Sequence, residues 1–154
     1  MKLTLHSHRD GFAQVPAELQ GSVRTALEQL KHPVGKGCTV HLREAILVEL
    51  TKTGWSGRTK VDVESDINIL SISKGIAFQL QTGNMSRLYA DLMKLQLIYL
   101  KDRIKGAIYM LPTKEAADKI NSNIVNYTRF VEELKIFDKI VTVPMIVMGF
   151  EEDC

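Results

Sequence analysis

The sequence predicts a mixed α/β (α+β) fold in which a central mixed β-sheet is flanked by helices. Three patterns predict it. Residues from Arg58 to Gln81 alternate by two, as paired strands do. Leu19, Val23, Ala26, Leu27 and Leu30, and later Leu88, Leu92, Leu95 and Ile98, recur at helical spacing. "GAIYMLP" is a continuous apolar run after the second of these helices, as expected where a crossover delivers a buried parallel strand. With 154 residues, 45% hydrophobic and 25% charged, the chain fits a single domain over residues 1–154.

Taken in order, residues 1–13 read as a strand followed by an irregular arm. A helix is expected from about Ala17 to Leu30, with Pro16 well placed at its start. "HPVGKGC" is a loop punctuated by Pro33, Gly35 and Gly37. A second helix runs from about Val40 to Thr53, with Leu42, Ala45, Ile46, Glu49 and Leu50 on its inner side. Gly54 is expected to end it in the left-handed conformation. The alternating stretch puts Asp62, Glu64, Asp66, Asn68, Leu70 and Ile72 on one face and Val61, Val63, Ile67 and Ile69 on the other. A tight turn at Ser73-Lys74-Gly75 then joins two strands. Ser86 is expected to cap a helix reaching about Lys101. The strand "KGAIYMLP" stops at Pro112, and "TKEAADKI" and "TRFVEELKIF" are short helices around the polar loop "NSNIVNY". "IVTVPMIVMGF" is a last strand, assigned to a sheet edge because Pro144 interrupts it.

No apolar run is long enough to cross a bilayer, and "MKLTLHSHRDGF" lacks the apolar centre of a signal peptide. The cytoplasm is the expected compartment. The two cysteines, Cys38 and Cys154, have no zinc-site or disulfide spacing and read as free thiols. His6 and His8 read as an incidental pair near a terminus. The net charge is only +2 and no strongly basic tail exists, so any nucleic-acid binding must rest on locally arranged charge.

The hairpin carries the chemistry. A two-residue loop at Ser73-Lys74 sets Asn68 opposite Gln79 and Asp66 opposite Gln81. A loop at Lys74-Gly75 moves the pairing by one step and keeps the same faces together. Either way Asp66, Asn68, Gln79 and Gln81 form a polar patch, and Ile67, Ile69, Ile76, Phe78 and Leu80 form the opposite, buried face. The patch has two readings. One is a solvated sheet face. The other is a metal-assisted site in which Asp66 gives magnesium a hard oxygen ligand, although two or three acids are usual for that task.

"TKTGW" at a helix end, a lone Asp opening the hairpin, "IAFQLQTGNMSRLYADLMKLQLIYL", "GAIYMLPTKE" and "NSNIVNYTRFVEELK" occur in that order. Together they resemble the BglII and BstYI group of type II restriction endonucleases, within the PD-(D/E)xK nuclease superfamily. The match runs from about Glu44 to Lys135 and is most specific from Gln79 to Gln96. The resemblance implies a restriction-endonuclease-like core and type II site-specific deoxyribonuclease activity. It implies Mg2+-dependent hydrolysis of a short palindromic double-stranded DNA site, GATC-cored in that group, by a homodimer whose two-fold axis mirrors that of the DNA.

The resemblance also implies catalytic positions at Asp66 and Gln81 and at one helix acid, either Glu44 or Glu49. Gln79 stands where the group has its second catalytic carboxylate, so the metal positions become Asp66 and Gln79. An amide oxygen brings a dipole and no charge, which weakens magnesium binding and activity. A natural loss, an engineered Glu→Gln exchange and a rearranged ligand set all fit that departure. For DNA contact, Asn84 matches a base-reading asparagine and Asn121, Ser122 and Asn123 match a base-contacting loop. Arg87 and Lys114, with Lys94 and Arg129, are candidates for phosphate contact. Asp91 reads as structural, holding Lys94 or its helix. Two function classes follow: a magnesium-dependent endonuclease, or a catalytically inactive DNA-binding relative on the same fold.

Overall fold

The computed structural model describes residues 1–153. The free-thiol reading holds for Cys38, and Cys154 lies outside the described residues. The chain begins with β1 (Lys2–His8), a single turn α1 (Gly11–Gln14), α2 (Ala17–Gln29) and α3 (Thr39–Lys52). It continues with β2 (Thr59–Lys60), β3 (Asn68–Ile69), β4 (Ser71–Ser73), β5 (Ile76–Leu80) and α4 (Met85–Leu100). It ends with β6 (Gly106–Pro112), α5 (Lys114–Ile120), α6 (Tyr127–Ile136) and β7 (Met145–Glu151). The five-stranded main sheet has the order β1-β7-β6-β5-β4, and β2 and β3 form a separate two-stranded ladder. The sheet is mixed: β4–β5 and β1–β7 are antiparallel, while β5–β6 and β6–β7 are parallel.

Alternation along the strands divides the core into two layers. Ile76, Phe78, Leu80, Ile108, Met110, Ile146 and Met148 pack with α2 and α3 through Val23, Leu27, Leu42, Ile46 and Leu50. Ala77, Ala107, Tyr109, Leu111, Met145 and Val147 pack with α4 and α6 through Leu88, Leu95, Phe130 and Leu134. Both faces of the sheet are therefore covered, which is why β6 reads as an unbroken apolar run.

The structure selects one of the two expected hairpin registers and departs from the sequence expectations at three further places. The hairpin loop is Lys74-Gly75, the second of the two registers, so that Ser73 pairs with Ile76 and Ser71 with Phe78. Both loop residues have positive φ, 48° and 76°, as the mirror-image hairpin turn requires. First, the strand expected through Asp62–Asp66 does not form. Its polar residues bond locally instead: Glu64 N–H to Asp62 Oδ2, Ile67 N–H to Ser65 Oγ, and Asn68 Nδ2 to the Asp66 carbonyl. Val63 and Ile67 are consequently exposed, and Ile69 joins the α4 layer rather than the Phe78 face. Second, β7 is not an edge strand. Pro144 precedes it, outside the ladder, and its carbonyl accepts the Ala107 N–H. Third, Asn84 rather than Ser86 caps α4, with Oδ1 accepting the Arg87 N–H at 3.2 Å. The expected left-handed Gly54 after α3 is present, at φ 92°.

Candidate nucleic-acid interface

The polar patch of the hairpin is divided: Asp66 and Asn68 are exposed, whereas the two glutamines are buried. Residue 79 alternates with Phe78 and Leu80 and so faces α4, where Gln79 and Gln81 are only 6% and 5% exposed. Helix α4 brings in one carboxylate, Asp91, on the same side as Leu88, Leu92 and Leu95; it is 3% exposed. Gln79 Nε2 donates to Asp91 Oδ1 at 2.9 Å, and Gln81 Nε2 donates to Asp91 Oδ2 at 2.5 Å. Tyr109 Oη donates to Oδ2 at 3.2 Å from the adjacent strand, and Lys94 Nζ lies 3.4 Å from Oδ1. The glutamine carbonyls are also occupied. Gln79 Oε1 accepts the Leu70 N–H at 2.9 Å, where the chain leaves the hairpin ladder, and Gln81 Oε1 accepts the Gly83 N–H at 2.8 Å. Each glutamine thus accepts from backbone with one end and donates to Asp91 with the other. This orientation is forced, because a flipped amide would set an NH2 group against a backbone N–H.

Burial raises the Asp91 pKa, while Lys94, the two glutamine amides and Tyr109 oppose the shift. Burial also holds the Tyr109 pKa well above its ordinary value, helped by the Asp91 charge, so the phenol stays a neutral donor.

Above this cluster opens a cavity of about 350 Å3, lined by Asn68, Leu70, Gln79, Gln81, Asp91 and four cationic residues: Arg43, Arg58, Arg87 and Lys94. Arg43 comes from α3 and is half-buried. Desolvation and the neighbouring Arg58 charge lower its pKa; Asp91 opposes this and Arg87 adds to it. Arg58 is paired with Glu44 at 3.0 Å, but neither Arg43 nor Arg87 has an ion-pair partner among the described residues.

The expected site residues are partly assembled here. Gln79, Gln81 and Arg87 line the cavity. Asp66 does not; its carboxylate is fully exposed and lies 3.7 Å from Lys60. Extending the hairpin register puts Leu70, apolar and buried, across from Gln79. Glu44 pairs with Arg58, Glu49 pairs with Lys52 at 2.6 Å, and neither lines the cavity. Asn84 is engaged as the α4 cap. Asn121 Oδ1 accepts from the Asn123 N–H and Ser122 Oγ in an exposed turn, and Lys114 pairs with Asp118 at 3.0 Å. A backbone bond from Val125 N–H to the Gly83 carbonyl fastens this loop beside the Gln81–Asn84 turn, beyond the C-terminal ends of the parallel strands. Arg43 and Arg58 were not among the expected residues. Arg43 could have been noticed as a cation three residues before Ile46 and seven before Leu50, bordering the buried stripe of α3.

The family model for restriction endonuclease BglII/BglIII matches residues 4–150. The chain belongs to the BglII restriction endonuclease family. Among solved structures it is similar to BglII complexed with a DNA 16-mer, at a TM-score of 0.88 and 15% identity, covering 99% of this chain and 79% of that one. It is also similar to free BglII, at a TM-score of 0.79 and 16% identity, covering 99% and 81%. At such identities the likeness is one of fold. A search of curated protein sequences returned no match.

Type II restriction endonucleases generally use a divalent metal. Magnesium takes oxygen ligands and prefers carboxylates. In this cavity the one carboxylate already accepts from four donors, and both glutamine carbonyls are bound to backbone N–H groups. Among the described residues no three His, Cys, Asp or Glu side chains gather as a metal site would. As arranged, the cluster does not fit a magnesium ion.

Proposed function

We propose that this member of the BglII family binds double-stranded DNA and that phosphodiester hydrolysis at the cavity is impaired. The observation that carries this reading is the exchange of roles in the cavity. The oxygen atoms that a metal would need are consumed in the Gln79–Gln81–Asp91 lock, while four cationic side chains line the opening. DNA binding is further supported by family membership and by the DNA 16-mer in the similar BglII complex. The Asn121–Asn123 loop lies next to the Asn84 turn and offers amides for base edges, with Lys114 and Arg87 for phosphates.

A homodimer is part of the proposal. Helix α4 carries an apolar groove of about 870 Å3 next to the cavity, lined by Tyr89, Met93, Leu97, Leu100, Phe137 and Ile140. Met93, Leu100 and Ile140 are largely exposed. A second copy would cover that surface, and its symmetry would suit a palindrome. Among the described residues no helix is long and apolar enough to cross a membrane, and the cytoplasm is the proposed compartment.

Family membership favours a second reading: Mg2+-dependent cleavage of a short palindrome, GATC-cored as the resemblance suggests. The two readings part in one experiment. A supercoiled plasmid carrying varied palindromes is incubated with Mg2+ or Mn2+, and duplex binding is followed in parallel by gel shift. Binding without cleavage is the expected result. Metal-dependent cleavage by the wild-type chain would favour the second reading, and absence of binding in every condition would overturn the first.

A further inference from the structure

We propose that the cavity beside Gln79 is a preformed anion site that clamps one phosphodiester of the DNA backbone directly, without a divalent cation. This rests on the DNA-binding reading and adds to it the identity of the ligand group and of its holders. Arg43, Arg58, Arg87 and Lys94 line the space, and the only carboxylate there is spent on internal hydrogen bonds. Arg58 and Lys94 each have an acidic neighbour, Glu44 and Asp91 respectively. Arg43 and Arg87 have no ion-pair partner among the described residues, although the more distant Asp91 and Glu44 charges act on Arg43.

Arg43 is the telling residue. It is half-buried in α3, where desolvation and the Arg58 and Arg87 charges outweigh the favourable Asp91 and Glu44 charges, so a negative group entering the cavity would relieve it. A guanidinium suits the task because its planar fork meets two phosphate oxygens at once, and it keeps its charge despite partial burial. The Arg87 stem runs close over Gly83, where an added Cβ would come within 2.6 Å of its Cδ. The floor beneath is made rigid by the glutamine lock.

The arrangement separates stability from function. In the free protein, Arg43→Gln removes a charge from a like-charged group, so its urea midpoint should equal or exceed that of the wild type. Binding should move the other way. With a short fluorescein-labelled duplex in EDTA, Arg43→Gln and Arg87→Gln should each weaken affinity roughly ten-fold. Each should also lower the slope of log K against log salt by about 0.9, the value for one lost phosphate contact. Arg43→Lys should restore the salt slope and only part of the affinity. Mg2+ should weaken wild-type binding by competition for phosphate. Inorganic phosphate in EDTA should raise the melting temperature of the wild type and not of Arg43→Gln.

Duplex binding in EDTA that is indifferent to both arginines, with no phosphate effect on melting, would overturn the anion site and leave the DNA-binding reading standing. Strict dependence of binding on Mg2+ would also overturn it. Phosphate stabilisation that requires Arg43, without any duplex binding, would keep the anion site and overturn DNA as its source.

Discussion

Gln79→Glu is the most informative single change, because it puts a carboxylate where Gln79 now donates to Asp91 at 2.9 Å. Two charged carboxylates at that separation repel by ~6 kcal/mol at an effective dielectric of about 20. The pair has a cheaper alternative, which is to hold one proton between them. At neutral pH that costs about 4 kcal/mol, or 1.36 kcal/mol for each of the roughly 2.7 units above an ordinary glutamate pKa. The protonated form keeps the present geometry, since a carboxylic O–H can donate to Asp91 while the other oxygen accepts the Leu70 N–H. Lys94, 3.4 Å from Asp91, offsets part of the loss. The expected destabilisation is therefore about 3–4 kcal/mol at neutral pH and about 1 kcal/mol near pH 5.

The sign follows from proton binding. The folded variant retains a proton that the unfolded chain releases, so its stability falls as pH rises above the ordinary carboxylate range. Urea unfolding of wild type and variant across this pH range, without metal, measures the difference. Adding Mn2+ or Mg2+ at neutral pH should recover part of the loss in the variant and leave the wild type unchanged, because only the variant offers two carboxylates. A variant as stable as the wild type at every pH would refute the Gln79–Asp91 contact and the argument built on it.

Four further outcomes are expected. Asp66→Asn should change urea stability by less than about 0.5 kcal/mol and leave duplex affinity unaltered in gel shifts, because that carboxylate is fully exposed and outside the cavity. Asn84→Ala should cost about 1 kcal/mol through loss of the α4 cap, seen as a melting temperature lower by ~2–4 °C. Asn84→Ser should keep the cap, so any drop in duplex affinity would report a base contact made by the amide. Gly11→Ala should destabilise by at least ~1–3 kcal/mol in urea, since a Cβ there would meet the Met145 carbonyl oxygen at 2.1 Å.

Much of the fold was legible because it follows from periodicity. The stripes Leu19–Val23–Leu27 and Leu88–Leu92–Leu95 and the unbroken run of β6 each specify a buried face, and their order permits few sheets. What escaped periodicity was local competition. Asp62, Glu64 and Asp66 alternate as a strand would, yet the side chains of Asp62, Ser65 and Asn68 satisfy nearby backbone more cheaply than a ladder does. Pro144 interrupts the apolar run without weakening the sheet, because it falls one residue before the ladder begins.

The site was legible on the hairpin and hidden on the helices. Asp91 lies three residues after Leu88 and four before Leu95, so it sits within the buried stripe. A carboxylate in such a stripe requires donors. Besides Lys94 one turn along the helix, the sequence offers them on the facing strands, where Gln79, Gln81 and Tyr109 share a side. Glutamine fits that demand in a way that glutamate cannot: one end accepts the backbone N–H released where the hairpin opens, and the other donates to the buried charge. A carboxylate at position 79 would meet Asp91 with like charge unless a proton or a cation lay between them. The residues at 79 and 91 are thus coupled, and restoring an acid at the first restores a metal site only if the second gives up its present donors.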